Sequence, residues 1–342
     1  MRKLLLSFLL VVMLAPMGAS AKKQQMYGVA FYNLENLFDT INNNGKYDLE
    51  FSPSGKNKWD GNKYWSKIKN LSYAISEMYT NLTPDGPAII GVSEIENRSV
   101  LEDLVKAESI KKHNYQIVHH DSPDVRGVDV GMLYNPKFFK VLNVTNHTLS
   151  IPDKPNFKTR DQMCVFGLLG GQRIAVIVNH WPSRRGGEKE SSPLREAAAE
   201  LCKSIADSIT NLYPDCGIVI MGDLNDDPSN KSCSKILGAV KKIDKCKPGG
   251  YFNPFWQKLD DGIGSYIYRS NWDLFDQIII NYNLTPQGPS HLEYYGALVI
   301  NKPFLLQTNG QYKGYPLRTF SGGVWTNGFS DHLPTQIFLK LK

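Results

Sequence analysis

The sequence predicts an α/β protein in which two packed β-sheets carry helices on their outer faces. Three observations lead there: short apolar segments with strand periodicity outnumber helical patterns, they recur along the whole chain, and no linker-like break separates them. Each sheet and each helix must bury an apolar face, and two sheets packed against each other beneath helices satisfy that need. At 342 residues, with 42% hydrophobic and 21% charged side chains, the chain is long enough to bury a full core.

Residues 1–21 stand apart. Arg2 and Lys3 give a positive start, Leu4 to Leu14 an apolar run, and Ala19-Ser20-Ala21 a small-residue cleavage site, the pattern of a secretory signal peptide. The run is too short to span a bilayer comfortably, so stable membrane insertion is not expected. Residues 22–342 are expected to form a single domain exported to the periplasm or the extracellular space. No Cys follows the cleavage site to carry a bacterial lipid anchor.

Met26 to Asn33 reads as the first strand. An insertion from Asp39 to Tyr64, rich in Asn, Gly, Lys and Ser, follows it; its Asn-Asn-Asn-Gly hints at a calcium loop, but the acidic spacing is wrong for an EF-hand. Lys67 to Tyr79 carries Ile68, Leu71, Ile75 and Met78 at helical spacing. A Pro-Asp-Gly turn introduces a strand from Ala88 to Glu94. Val128, Val130 and Met132 alternate with Asp129 and Gly131, and Cys164 to Leu169 with Ile174 to Val178 make a hairpin around Gly170-Gly171. The longest helical pattern runs from Pro193 to Leu212, with Leu201, Ile205 and Ile209 on one side. Gly217 to Gly222, Leu274 to Ile280 and Thr335 to Leu341 complete the set as buried strands.

Charge excludes little. The 39 basic and 33 acidic side chains give +6, and +4 once Arg2 and Lys3 leave with the leader. That mild excess suits an anionic substrate, but with Lys241-Lys242 and Arg184-Arg185 as the densest pairs it does not by itself mark a nucleic-acid binder. Nothing in the sequence points to a protein partner. The five cysteines (Cys164, Cys202, Cys216, Cys233, Cys246) show no zinc spacing. In an oxidising compartment Cys233 and Cys246 are the expected loop disulfide, and Cys164, in an apolar strand, a small core residue.

Chemistry gathers where strands end. Five separated segments close an apolar run with polar side chains: Asn33-Leu34-Glu35, Ser93-Glu94-Ile95-Glu96, Asn179-His180-Trp181, Gly222-Asp223-Leu224-Asn225 and Ser330-Asp331-His332. Each alone would be an ordinary turn former. Asp276 differs, since a carboxylate inside Leu274 to Ile280 is costly unless paired, and an imidazole is its natural partner. Together the oxygen donors Glu94, Asp331 and Glu35 suit a hard cation such as Mg²⁺ or Mn²⁺, with Ca²⁺ as a further option, and the histidines beside them suit phosphate cleavage.

These segments, in this order, resemble the signature set of the endonuclease/exonuclease/phosphatase superfamily. That superfamily includes deoxyribonuclease I, exonuclease III-type AP endonucleases, neutral sphingomyelinases and inositol polyphosphate 5-phosphatases. The resemblance runs from residue 28 to 341, and Gly-Asp-Leu-Asn with Ser-Asp-His-Leu-Pro carries it most specifically. It implies a four-layer α/β/β/α sandwich of two mostly antiparallel sheets.

It also implies roles. Glu94 matches the principal metal-binding glutamate and Asn33 a metal- and phosphate-site asparagine. Asp223 matches the residue that aligns or deprotonates the attacking water, and Asn225 a phosphate-binding asparagine. His332 matches the terminal catalytic histidine with Asp276 as its orienting carboxylate, and Asp331 its metal-proximal neighbour. His180 stands where deoxyribonuclease I-like members have a second histidine. Glu35 falls where members carry either an acid or a base, and Glu96 is a near alternative to Glu94 if the strand runs that far.

Arg126, Arg160, Arg184 and Arg269 are candidates to grip phosphate, set against the usual solvated fate of surface arginine. Trp181, Trp272 and Trp325 flank the motifs and offer either base stacking or packing. The expected function is a secreted divalent-metal-dependent phosphodiesterase acting on DNA or RNA by in-line water attack. The alternatives are a phospholipid or inositol-phosphate hydrolase of the same superfamily, and a non-enzymatic binding protein on the same fold.

Overall fold

Period-2 alternation along the strands decides which side chains fill the space between two facing sheets. In the computed structural model, which describes residues 25–41 and 50–342, Val29 and Phe31 of the first strand point into the inter-sheet core. Ala30 and Tyr32 point the other way, into a second core beneath helices. The expected leader and the Asn-Asn-Asn-Gly segment lie outside the described residues.

In chain order the elements are β1 (Met26–Leu37), α1 (Gly61–Ser76), β2 (Ile89–Ile95), α2 (Arg98–Lys106), β3 (Gln116–His119), β4 (Asp129–Tyr134) and β5 (Phe139–His147). Then come β6 (Gln162–Leu169), β7 (Gln172–His180), α3 (Glu188–Leu212), β8 (Gly217–Asp223), β9 (Ala239–Val240), β10 (Tyr251–Phe252) and α4 (Phe255–Asp260). The last are β11 (Tyr266–Tyr268), β12 (Asn271–Asp273), β13 (Asp276–Asn281), β14 (Leu292–Val299), β15 (Phe320–Ser321), β16 (Val324–Trp325) and β17 (Thr335–Leu341).

One sheet has six strands in the order β14-β17-β1-β2-β4-β3, the other seven in the order β5-β6-β7-β8-β13-β10-β9. Most neighbours are antiparallel; β1 with β2 and β7 with β8 are parallel pairs near each sheet's centre. Asp60 caps α1 by accepting from the Lys63 amide, and the helix buries Ile68, Leu71 and Ile75 on the first sheet. On the second sheet α3 lays down Ala198, Ala199, Cys202 and Ala206, small side chains that bring it close to Ile218 and Ile220 of β8. Helix, sheet, sheet and helix thus form four layers, the expected architecture. No described helix is long and apolar enough to cross a membrane.

Two expectations fail for physical reasons. Helix α3 begins at Glu188, not Pro193, and carries the proline in its second turn, where the missing N–H forfeits one backbone bond and the ring crowds the Lys189 carbonyl. The fully buried Arg195 braces that end, donating to the Glu188 carbonyl (3.1 Å) and the Ser191 hydroxyl (2.8 Å). The Cys233–Cys246 disulfide is not formed: all five thiols are free and buried. Cys233 packs under α3 while Cys246 belongs to the inter-sheet core, so the two lie in separate cores of the second sheet.

Candidate active site

Strand register builds half of the site. Parallel pairing of β7 with β8 sets His180 beside Asp223, and antiparallel pairing of β8 with β13 sets Asp223 beside Asp276, so three chemical side chains share one row. Gly222 permits this. A Cβ there would lie 2.2 Å from the Asn179 carbonyl oxygen, and its φ of +156° is one that side chains rarely adopt.

The first sheet contributes by breaking register. Pairing of β1 with β2 slips between Asn33 and Leu37, and pairing of β2 with β4 slips between Ser93 and Ile95. Glu35, Asn36 and Glu94 take φ of +46°, +51° and +58°, left-handed conformations costing about 1–3 kcal/mol each. Bulges of this kind re-aim side chains. Here they send Asn33 Nδ2 to Asp223 Oδ2 (3.1 Å) but turn Glu35 away from it.

Segments before β17 and β11 close the site. Ser330 donates its hydroxyl to the Asn33 carbonyl (2.7 Å), anchoring the turn that carries Asp331 and His332. Nδ1 of His332 meets Asp276 Oδ2 at 2.7 Å, and the same oxygen accepts the Ser265 hydroxyl at 2.5 Å. Nε2 of His332 lies 3.8 Å from Asp223 Oδ2 and 4.0 Å from Asp331 Oδ1. Across the row, His180 Nε2 is 3.5 Å from Asp223 Oδ2 and 4.0 Å from Glu94 Oε1.

The charges are set by these neighbours. Burial pushes the Asp223 carboxyl up to about 6, with the nearby His332 opposing and Asp276 adding to the rise. Burial alone would deprotonate His332, yet Asp276 and Asp223 raise its pKa well above the ordinary histidine value. His180 goes the other way: burial and the Arg160 guanidinium hold it well below that value, so it is neutral at pH 7. Glu94, despite burial, is held well below the usual carboxylate range, chiefly by Arg126. Arg126 reaches it with Nη1 at 3.1 Å.

A cleft of about 710 Å³ opens on this floor, lined by Glu94, His180, Asp223, Asn225, Asp331 and His332. Asn33 and Asp276 support it from beneath through the bonds above. Arg126, Arg184 and Arg269 stand on its walls. Arg160 does not: it is buried, with its guanidinium donating to Asp124 and to the carbonyls of His180 and Trp181. That places it as a brace below the cleft, not a phosphate grip. Glu35 is likewise removed from the cleft wall, accepting from Arg318 Nε (3.1 Å) and the Thr319 amide (2.7 Å), with buried Lys67 at 3.9 Å. Glu96 accepts from the Asp39 amide and lines a neighbouring groove instead. Trp181 is packed under α3, and neither Trp272 nor Trp325 lines the cleft.

Sequence reading missed three participants. Arg318 pairs with Glu35 and Asp331, Lys67 lies buried behind them, and the Tyr266 ring sits 4.8 Å from His332. The alternation of Tyr266-Ile267-Tyr268 was the available signal for the last; Lys67 and Arg318 carry none.

Among the described residues, Asp223, Asp276 and His332 cluster closely enough to hold an ion, as do His119, Asp121 and Asp129. In the first, Asp276 Oδ2 is already held by two hydrogen bonds at full burial. In the second, Asp129 is bonded to His119 and to the Ser122 amide and hydroxyl. Both are hydrogen-bonded networks; Glu94, paired with Arg126 and the Asn36 amide, and Asp331, paired with Arg318, also present carboxylates to the cleft.

Residues 28–341 match the sequence model of the Endonuclease/Exonuclease/phosphatase family. The chain belongs to that family. No curated protein matches it. Solved structures do, and they share the family fold. TDP2 from C. elegans is similar at 15% identity, covering 94% of this chain and 78% of that one with a TM-score of 0.56. An endonuclease/exonuclease/phosphatase family protein from Bacteroides thetaiotaomicron matches at 14% identity, 93% and 95% coverage and a TM-score of 0.56. D. rerio TDP2 complexed with single strand DNA product matches at 13% identity, 92% and 98% coverage and a TM-score of 0.54. At such identities the likeness speaks to the fold. Membership in the Endonuclease/Exonuclease/phosphatase family supports phosphoric ester hydrolysis as the coarse activity.

Proposed function

We propose that this chain is an exported, divalent-metal-dependent phosphodiesterase that cleaves nucleic acid by in-line attack of water. One observation carries the reading: a buried Asp223 carboxylate stands between two imidazoles, at 3.5 and 3.8 Å, on the floor of an open cleft.

The donor set fits a hard cation. Glu94 is kept ionised, Asp331 lines the same cleft, both offer oxygens, and none of the five cysteines lines it. When bound, Mg²⁺ or Mn²⁺ held by Glu94 and Asp331 would neutralise phosphate charge and stabilise the departing oxygen. The protein's own groups account for the rest. Asp223, with a carboxyl titrating near neutrality, accepts the proton of the attacking water. Protonated His332, oriented by Asp276, donates Nε2–H to a phosphoryl oxygen as negative charge grows there. Neutral His180 supplies a second donor from the opposite side, and Asn225 a third polar contact. By family resemblance the products would be a 5′-phosphate and a 3′-hydroxyl.

Nucleic acid is favoured by Arg126, Arg184 and Arg269 around the cleft and by the mild basic excess. The single strand DNA product held by D. rerio TDP2 lends the same reading support. Purified residues 22–342 in Mg²⁺, offered DNA, RNA, sphingomyelin and inositol phosphates, should turn over DNA or RNA. Turnover of sphingomyelin or inositol phosphate alone would reassign the substrate, and no turnover of any would favour a binding protein.

A further inference from the structure

Beside the catalytic cleft lies a second cavity of about 310 Å³ whose walls are tyrosine: Tyr266, Tyr268, Tyr312 and Tyr315, with Arg269 and Arg318 at its edges. It shares Tyr266, Tyr268, Arg269 and Asp331 with the cleft, so the two are continuous. Tyr266 packs 4.8 Å from the His332 ring, which places the cavity directly beside that imidazole.

The walls are built, not incidental. Hairpin β11–β12 turns on two residues, Arg269 and Ser270, with φ of +48° and +67°. Two-residue turns of this hand favour Asn-Gly, and holding Arg and Ser there is strained. The strain sets Arg269 at the mouth common to both cavities, its guanidinium 5.2 Å from the Tyr268 ring. The opposing loop is tied to this hairpin by the Ser270 and Tyr315 hydroxyls at 2.9 Å. It is also closed on itself by Gln307–Tyr315 and Gly314–Gln307 backbone bonds of 2.8 Å. Tyr312 and Tyr315 present rings 5.5 Å apart at 55°, and Tyr268 and Tyr312 remain 55% and 41% exposed. Arg318 is fixed by Glu35 and Asp331 rather than free to swing.

Exposed aromatic faces held in place beside guanidinium groups are a stacking platform for a flat π-system. We propose that this cavity receives the base of the nucleotide flanking the scissile phosphate, so that the enzyme recognises a splayed, single-stranded base by stacking. An inositol ring has no such face, and the cation of a choline headgroup would meet Arg269 and Arg318 beside the rings. The inference rests on the nucleic-acid reading above and deepens it.

The test uses dinucleotides with one cleavable linkage, carrying a base or an abasic sugar on either side. Wild type should prefer the base-bearing compound on one side by roughly tenfold or more in kcat/KM, the usual scale of one base–aromatic stack. Tyr312→Ala and Tyr315→Ala should reduce that preference severalfold, while Tyr312→Phe should keep it. If wild type cuts base-bearing and abasic compounds alike, the cavity is not a base site, though the nuclease reading stands. A preference that neither alanine variant moves would place base recognition elsewhere and equally overturn the proposal. If no dinucleotide, DNA or RNA is cut, the nucleic-acid reading itself falls and takes the base site with it.

Discussion

Asp223→Asn is expected to lower turnover on a phosphodiester by at least ~10²-fold while leaving thermal stability nearly unchanged. The side chain is buried, faces Asp276 across β8 and β13, and has its carboxyl raised to about 6. A raised carboxylate pKa means the ionised form is disfavoured in the folded state at neutral pH, so an uncharged replacement of equal size relieves the fold. Asparagine retains an oxygen to accept the Asn225 amide, now 3.0 Å from Asp223 Oδ1, while its amide nitrogen replaces the Oδ2 that accepts from Asn33 Nδ2, a loss that offsets that relief. Loss of rate without loss of melting temperature would therefore mark a group kept for chemistry at some cost to stability. Turnover and a thermal melt on the same preparation read both quantities; an unaltered rate would remove Asp223 from the mechanism.

His332→Ala should cost at least as much rate, ~10² or more, and here stability falls too. Asp276 is wholly buried, and its Oδ2 would keep only the Ser265 hydroxyl once the imidazole is gone. Asp276→Asn alone should slow turnover by roughly tenfold or more, because it removes the charge that keeps His332 protonated and oriented. The combination is the informative variant. Asp276→Asn placed on His332→Ala should add almost nothing to the loss of rate, since groups that act as one unit are not additive. Independent multiplication of the two losses would separate Asp276 from His332 functionally, despite their 2.7 Å contact.

The expected residues that the structure gathers at the cleft share a property: most lie at or beside one end of an apolar strand, where the pattern that predicts the strand also marks its boundary. His180, Asp223 and Asp276 fall in one row because β7 and β8 end, and antiparallel β13 begins, at the same level. Strand alternation failed where the backbone leaves the regular ladder. Regular alternation would put Asn33 and Glu35 on one side, but the bulge at Glu35 and Asn36 sends them to different partners. The same irregularity at Glu94, with β2 ending at Ile95, takes Glu96 out of the site.

Long-range partners were illegible for another reason. Arg318 meets Glu35 across 283 positions of sequence, from a stretch with no apolar periodicity to fix its direction. Lys67 reads as one exposed residue of an amphipathic helix, yet it is fully buried and bonded to Thr319. Its ammonium pKa falls to about 8 because burial outweighs Glu35 and Asp331. Arg160 shows the converse error. An arginine ahead of a strand looks like a surface cation, but Asp124 and two carbonyls hold it beneath His180, where its charge adds to burial in lowering that imidazole's pKa. The thiols mislead in the same way, since sequence proximity of Cys233 and Cys246 says nothing about which face of a sheet each one takes.

The proposed reaction is hydrolysis of a nucleic-acid phosphodiester by Glu94, Asp223 and His332 with a hard cation held by oxygen ligands. Its most direct test is a time course on a single-stranded DNA oligonucleotide in Mg²⁺, then in excess EDTA, then with Mg²⁺ or Mn²⁺ restored. The expected result is cleavage, arrest and recovery, with 5′-phosphate ends, and no cleavage at any stage by Glu94→Gln. Undiminished cleavage in EDTA, or full activity of Glu94→Gln, would contradict the account.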